Sequence, residues 1–110
     1  MSFDEFQQAV AGGAPGPAGL SGALGALWHD GRGDWEGAHA CAQADGSRDG
    51  AWVHAYLHRK EGDAGNAAYW YARAGRAVPA PGVTFAAEWA AMARELVARE
   101  GGGRGRRPGV

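Results

Sequence analysis

The amino-acid sequence predicts an all-α domain of about five helices. Ala and Gly supply 25 and 20 of the 110 residues, whereas Ile is absent and Thr occurs once. Strands are enriched in Ile, Val and Thr, so this composition argues strongly against a β fold. Apolar residues also recur at helical spacing, and helix-capping residues stand before several of these stretches. A chain of this length has room for one core.

The first predicted element is a short N-terminal helix followed by a linker, over residues 1–19. Ser2 and Glu5 have the spacing of a capping box, in which each residue bonds the other's backbone N–H. Phe3, Phe6 and Val10 then fall on one helix face. The Gly- and Pro-rich residues that follow end the helix.

Residues 20–76 are predicted to form tandem helical hairpins. Leu20, Leu24 and Leu27 begin the first helix with an apolar stripe, and the glycine-rich turn at residues 31–33 ends it. Asp34 caps a second helix that runs to about residue 43.

The second hairpin begins after a loop predicted at residues 45–50. Its first helix runs from about Ala51 to Glu61, and Gly62 ends that helix. Asp63 caps its second helix, which runs to about Ala74.

The C-terminal region is predicted as one helix over residues 83–100 that packs against the end of the hairpins. Thr84 caps this helix, and Phe85, Trp89 and Met92 lie along one face. Residues 101–110 are rich in Gly and Arg and are predicted to be a disordered tail.

An internal repeat relates the two predicted hairpins. Residues 27–38 read LWH-x-x-x-GDWEGA, and residues 56–67 read YLH-x-x-x-GDAGNA, with a period of 29 residues. Repeated helix pairs of this length are typical of helical solenoids. The segment resembles tetratricopeptide (TPR) and Sel1-type repeats, and this resemblance implies a right-handed stack of hairpins with a groove for a partner.

The strongest local pattern lies in residues 51–76. The segments AWVHAYLHRKEGD, NAAYWY and RAGR resemble a small uncharacterised family of bacterial helical proteins. This resemblance implies a natural domain and assigns no catalytic residue. The bias toward Ala, Gly and Arg is also typical of a GC-rich bacterial coding sequence.

Charge and cysteine content narrow the expected partners and compartment. The formal net charge is −1, so binding to nucleic acid is not expected. Cys41 is the single cysteine and has no intramolecular disulfide partner. We see no signal peptide and no membrane-spanning stretch, so we expect a cytoplasmic protein without membrane contact.

The predicted helix at residues 51–61 carries an aligned polar stripe. His54, His58 and Glu61 follow one another at i, i+4 and i+7. We expect a solvated polar face in which Glu61 bonds His58. A ligand-binding or catalytic patch is the first alternative. The second is a metal site, since two histidines at i and i+4 chelate one ion, with further ligands from His39, His29, Asp63 or Glu61. No cofactor is expected unless a divalent metal binds here.

His39 stands on the apolar face of its predicted helix, beside Trp35 and Ala38. Histidines in such positions are usually packed boundary residues with one hydrogen bond. The alternative is that His39 faces His54 and His58 across the groove between helices, as a base or a ligand.

Tyr69 and Arg73 share a stripe on the next predicted helix. Tyr69 is expected to pack in the core, or to line a pocket with Trp52. Arg73 is expected to pair with Glu61 or Asp63. A guanidinium clamp for a carboxylate or phosphate is the alternative.

These features favour a non-catalytic interaction module that binds a partner peptide or helix in a helical groove. The predicted groove is formed by helices two to four and centred on His54, His58, Glu61 and Arg73. The alternative is a small-molecule or metal-binding protein, or a small enzyme, that uses the histidine stripe with His39 and Arg73. The sequence predicts no oligomeric state.

Overall fold

The computed structural model describes the backbone of residues 1–12, 20 and 22–105, with side chains as far as Arg99. Every regular element in these ranges is helical, which confirms the predicted all-α class. The helices are α1 (Phe3–Gly12), α2 (Gly22–Gly31), α3 (Trp35–Ala44), α4 (Arg48–Glu61), α5 (Ala64–Ala74) and α6 (Phe85–Gly105). Within the described ranges, none of these helices has the length and apolar character that crossing a bilayer requires.

Six helices form in these ranges rather than about five, since the N-terminal segment, all four segments of the two predicted hairpins and the C-terminal segment are each helical. Ser2 and Glu5 close the predicted capping box, with N···O distances of 2.7 and 3.1 Å. The prediction of a loop at residues 45–50 was wrong in its second half. Ser47 accepts a hydrogen bond from the Gly50 N–H, so α4 begins at Arg48.

The two repeated Gly-Asp turns have the same geometry. Gly33 and Gly62 adopt left-handed backbone conformations with φ of 81° and 91°. The following Asp34 and Asp63 accept hydrogen bonds from backbone N–H groups at the start of α3 and α5. Helix α2 packs against α3, and α4 packs against α5. The stacking of these pairs as TPR- or Sel1-like hairpins stays a prediction.

Helix α4 is the central element of the fold. It contacts α2, α3, α5 and α6, so neighbours surround it on several sides. All nine residues from Gly50 to His58 are buried. A side chain on any face of this stretch therefore lies against protein, whatever its polarity.

The interior also holds two paired carboxylates. Asp30 accepts hydrogen bonds from Tyr56 and Lys60, at 2.6 and 2.8 Å. Glu88 accepts one hydrogen bond from the Tyr71 hydroxyl and a second, at 2.8 Å, from the Arg59 guanidinium. Buried charges are stable only when paired in this way. These contacts tie α2, α5 and α6 to α4.

Helix α6 extends to Gly105, beyond the predicted boundary at residue 100. Trp89 on this helix donates its indole N–H to the Leu27 carbonyl oxygen at 3.0 Å, which fixes α6 against α2. The predicted Gly- and Pro-rich linker lies mostly outside the described ranges. The part of the predicted tail after residue 105 also lies outside them.

Candidate metal centre

Three of the four histidines meet between α3 and α4. His39 comes from α3, and His54 and His58 are one turn apart on α4. One nitrogen of each ring lies within 4.8 Å of the corresponding nitrogens of the other two. We call this group the histidine cluster. It brings the two histidines of the predicted stripe together with His39, as in the alternative by which His39 faces them from the neighbouring helix.

The histidine cluster is buried, which corrects the expected solvated polar face. His54 and His58 are 3% and 8% exposed, and His39 is half-buried. The helical-wheel argument assumed that the polar sector of α4 faces water. Helices α3 and α5 cover that sector instead.

Two tryptophan rings enclose the histidine cluster. Trp35 stacks on His39 with a centroid distance of 4.9 Å and an interplanar angle of 9°. Trp70 stacks on His54 at 4.0 Å and 16°. The Trp35 indole N–H donates to the Leu57 carbonyl oxygen at 3.2 Å. These contacts hold the imidazoles in fixed planes and limit their access to water.

Hydrogen bonds constrain the protonation of the ring nitrogens. His58 Nδ1 lies 3.2 Å from Glu61 Oε1, so Nδ1 carries the proton that the carboxylate accepts. In the neutral ring, His58 Nε2 is then left with a free lone pair. His54 Nε2 lies 3.1 Å from His39 Nε2, and one of these two atoms donates to the other. The sequence had predicted the bond between Glu61 and His58.

The cluster disfavours positive charge on its central ring. Burial, followed by the neighbouring His39 and His58, lowers the pKa of His54 to about 4. His54 is therefore neutral at physiological pH, and a neutral imidazole is the form that ligates a metal ion.

A second group of potential ligands overlaps the first. His58, Glu61 and Asp63 also offer ligand atoms that lie within 4.8 Å of one another, and the two carboxylates are exposed. The carboxylates thus lie on the solvent side of His58. The combined donor set is rich in imidazole nitrogen, which suits zinc, copper and nickel better than magnesium or calcium.

The other predicted site residues lie outside the cluster. Tyr69 is 54% exposed, so the expectation that it packs in the core was wrong. Arg73 lies near the rings of Tyr69 and Trp70, with distances of 5.8 and 5.5 Å to their centroids. It forms no described ion pair with Glu61 or Asp63, contrary to the expectation.

Trp52, His29 and Cys41 also lie outside the histidine cluster. Trp52 is buried beneath the Arg76 guanidinium, whose carbon lies 3.6 Å from the ring centroid. His29 is bonded to Asp34 at 3.1 Å and belongs to neither ligand group. Cys41 is half-buried and also stands outside both groups.

Sequence reasoning missed the part that Trp35 and Trp70 play in enclosing the site. A signal was present for Trp35, because it precedes His39 by four residues and shares its helix face. No spacing rule joins Trp70 to His54, since their contact depends on how α5 packs against α4.

No protein-family model, curated protein or solved structure matches this chain. The resemblances to TPR or Sel1-type repeats and to a small bacterial family therefore stay predictions.

Proposed function

We propose that the protein binds one divalent transition-metal ion, Zn²⁺ in the first place, through His39, His54 and His58. The observation that carries the proposal is the convergence of three imidazole nitrogens within 4.8 Å of one another. Three histidines are a common protein ligand set for zinc. From the sequence alone, a metal site was an alternative to a solvated polar face, with His39 among the possible third ligands.

The distances suit a shared ion. Two nitrogens bound to Zn²⁺ at about 2.0–2.1 Å in tetrahedral geometry stand about 3.3 Å apart. His39 Nε2 and His54 Nε2 already lie 3.1 Å apart. A bound ion would replace the single hydrogen bond between them with two coordinate bonds, once the proton on the donating Nε2 has moved to Nδ1 of the same ring and the three rings have turned their lone pairs toward the ion.

Glu61 supports this assignment. By accepting the proton on His58 Nδ1, it orients the ring and leaves Nε2 as the ligand atom. A carboxylate behind a metal-bound histidine commonly fixes its tautomer and raises its basicity. Glu61 would also partly balance the charge of the ion. Water would fill the fourth position.

The test is a titration of the metal-free protein with Zn²⁺, followed by calorimetry and by thermal unfolding. We expect one-to-one binding with a Kd at or below about 1 μM, and a rise in the unfolding temperature on binding. His39→Gln should weaken binding at least tenfold, because one of three protein ligands is lost. His29→Gln is the matched control, since His29 belongs to neither ligand group.

A second readout uses Co²⁺ in place of Zn²⁺. Coordination by the histidine cluster should give a visible absorption band in the wild-type protein and in His29→Gln, and lose it in His39→Gln. Equal Zn²⁺ affinity of His39→Gln and His29→Gln would refute the proposal. So would the absence of both Zn²⁺ binding by calorimetry and a Co²⁺ absorption band in the wild-type protein. The test does not require His54→Ala, which would open a cavity in the core.

The interaction module of the sequence analysis stays a prediction. Its proposed groove centred on His54 and His58, and both side chains are buried. Of that predicted surface, Glu61, Tyr69 and Arg73 remain exposed. A partner would meet these side chains rather than the histidines.

A further inference from the structure

A cleft opens on the side of α4 away from the histidine cluster. Tyr56 and Lys60 face it, and each follows a cluster histidine by two residues, which is a rotation of about 200° around the helix. The cleft has a volume of about 450 Å³ and lies between α1, α2, α4 and α6. This volume falls in the range of small-molecule sites.

A fixed ammonium group is the main polar feature of the cleft. Lys60 Nζ donates to Asp30 Oδ1 at 2.8 Å and stands 5.7 Å from the centroid of the Tyr56 ring. The Tyr56 hydroxyl holds the other oxygen of Asp30 at 2.6 Å. An ammonium has three N–H donors, so Lys60 retains two for a ligand beyond its described bond to Asp30.

The walls of the cleft are mainly apolar and aromatic. Trp89 is stacked on Phe6 at 5.8 Å and is tied through its indole N–H to α2. Phe85 also lines the cleft and is 42% exposed. The rest of the lining consists of Val10, Gln7, Gly31 and small alanine side chains. Such walls favour a flat apolar ligand body.

The charge balance favours an anion. Asp30 and Lys60 neutralise each other within the lining. Arg32 adds a positive charge at the rim, where its Nη1 donates to the carbonyl oxygen of the lining residue Val10 at 3.0 Å. Asp30 offers little to a ligand, because its side chain is 3% exposed and both its oxygens already accept hydrogen bonds.

We infer that this cleft binds a small carboxylic acid with an aromatic body, its carboxylate on Lys60 and its ring against Trp89 and Phe85. Charge-assisted hydrogen bonds from the ammonium would select the carboxylate. Arg32 would add a longer-range attraction. The site is independent of the proposed metal centre, since the two use opposite sides of α4.

The test titrates the full chain with naphthalene-1-carboxylate and, in parallel, with neutral naphthalene-1-carboxamide, followed by calorimetry. We expect one-to-one binding of the carboxylate and at least tenfold weaker binding of the carboxamide. Lys60→Gln should remove this preference. Arg73→Gln is the matched control, because Arg73 is an exposed cation away from the cleft lining.

A second variant guards against unfolding, since Lys60→Gln leaves Asp30 without its cation. Ala90→Phe fills the cleft from α6 and leaves the bond between Lys60 and Asp30 in place. It should abolish binding of the carboxylate. Undiminished binding in Ala90→Phe, equal affinity for carboxylate and carboxamide, or no binding at millimolar ligand would each overturn the proposal.

Discussion

Mild acid should destabilise the metal-free protein through His54. This ring is buried against His39, His58 and Trp70, and its pKa is lowered from 6.5 to about 4. In the unfolded chain it regains the ordinary value. Between the two values the unfolded state binds one more proton than the folded state, so stability falls as the pH falls.

The expected loss follows from these two pKa values. A difference of one pKa unit corresponds to about 1.36 kcal/mol. The free energy of unfolding should fall by about 2 kcal/mol between pH 7.5 and pH 5, and by about 3 kcal/mol at pH 4. For a domain of this size, about 2 kcal/mol lowers the unfolding temperature by roughly 8 °C.

The window above pH 5 isolates His54 from the acidic groups. Glu95, for example, has its pKa lowered chiefly by the hydrogen bond from Arg76. The stability it contributes is present above its ordinary pKa of 4.5 and is lost only below that value. Protonation of either His54 or Glu95 destabilises the folded protein, but Glu95 does so in a lower pH range than His54.

The assay is urea unfolding at a series of pH values, with a chelator present to keep metal away. His54→Gln keeps a neutral polar group near the Nε2 position, so its stability should vary less between pH 7.5 and pH 5. His29→Gln should retain the wild-type pH dependence, since His29 is not part of the cluster. An identical slope in wild type and His54→Gln would refute the reasoning.

Two further predictions concern stability measured by thermal or urea unfolding. Gly62→Ala should cost about 1 kcal/mol, because Gly62 has a φ of 91°, whereas Gly65→Ala should stabilise α5 by up to about 1 kcal/mol. Equal effects of Gly62→Ala and Gly65→Ala on stability would contradict the assignment of Gly62 as the left-handed residue that ends α4. Tyr71→Phe should cost about 1–3 kcal/mol, since it removes a hydrogen bond to the buried Glu88. The exposed Tyr69→Phe should change stability by less than about 0.5 kcal/mol, and a comparable loss there would refute the role of the buried bond.

The helix boundaries were largely predictable because they depend on local chemistry. Ser2, Asp34, Asp63 and Thr84 each cap a helix through a hydrogen bond to a backbone N–H three residues on. Such bonds require only the right side chain at the right spacing. Ser47 is the counterexample, since its capping role was hidden in a glycine- and aspartate-rich stretch that is also typical of loops.

The histidine cluster was only half predictable. The alignment of His54 with His58 is a property of one helix and follows from the 3.6-residue period. Their burial and their contact with His39 depend on how α3 and α5 pack against α4. A polar stripe predicts a solvated face only for a helix on the surface, and α4 is the central helix.

The paired carboxylates were not predictable for a similar reason. Asp30 and Lys60 are thirty residues apart, and Arg59 and Glu88 are twenty-nine apart. No local rule joins residues at these separations. The contacts exist because α2 and α6 both pack against α4, and the sequence gives no direct signal of that arrangement.

A bound ion would stabilise the fold at the histidine cluster, where polar rings lie in the core. A small core rich in alanine has little stability to offset the burial of polar rings, and stabilities of small domains are only about 5–15 kcal/mol. His54 and His58 are buried, His39 is half-buried, and each ring has one described hydrogen bond, so a bound ion would offset part of the cost of their desolvation. An ion held by all three adds about 2.7 kcal/mol of stability at a hundredfold excess over its Kd. The same lone pairs that make His54 sensitive to acid would then bind the ion, so zinc binding and protonation should oppose each other at one site.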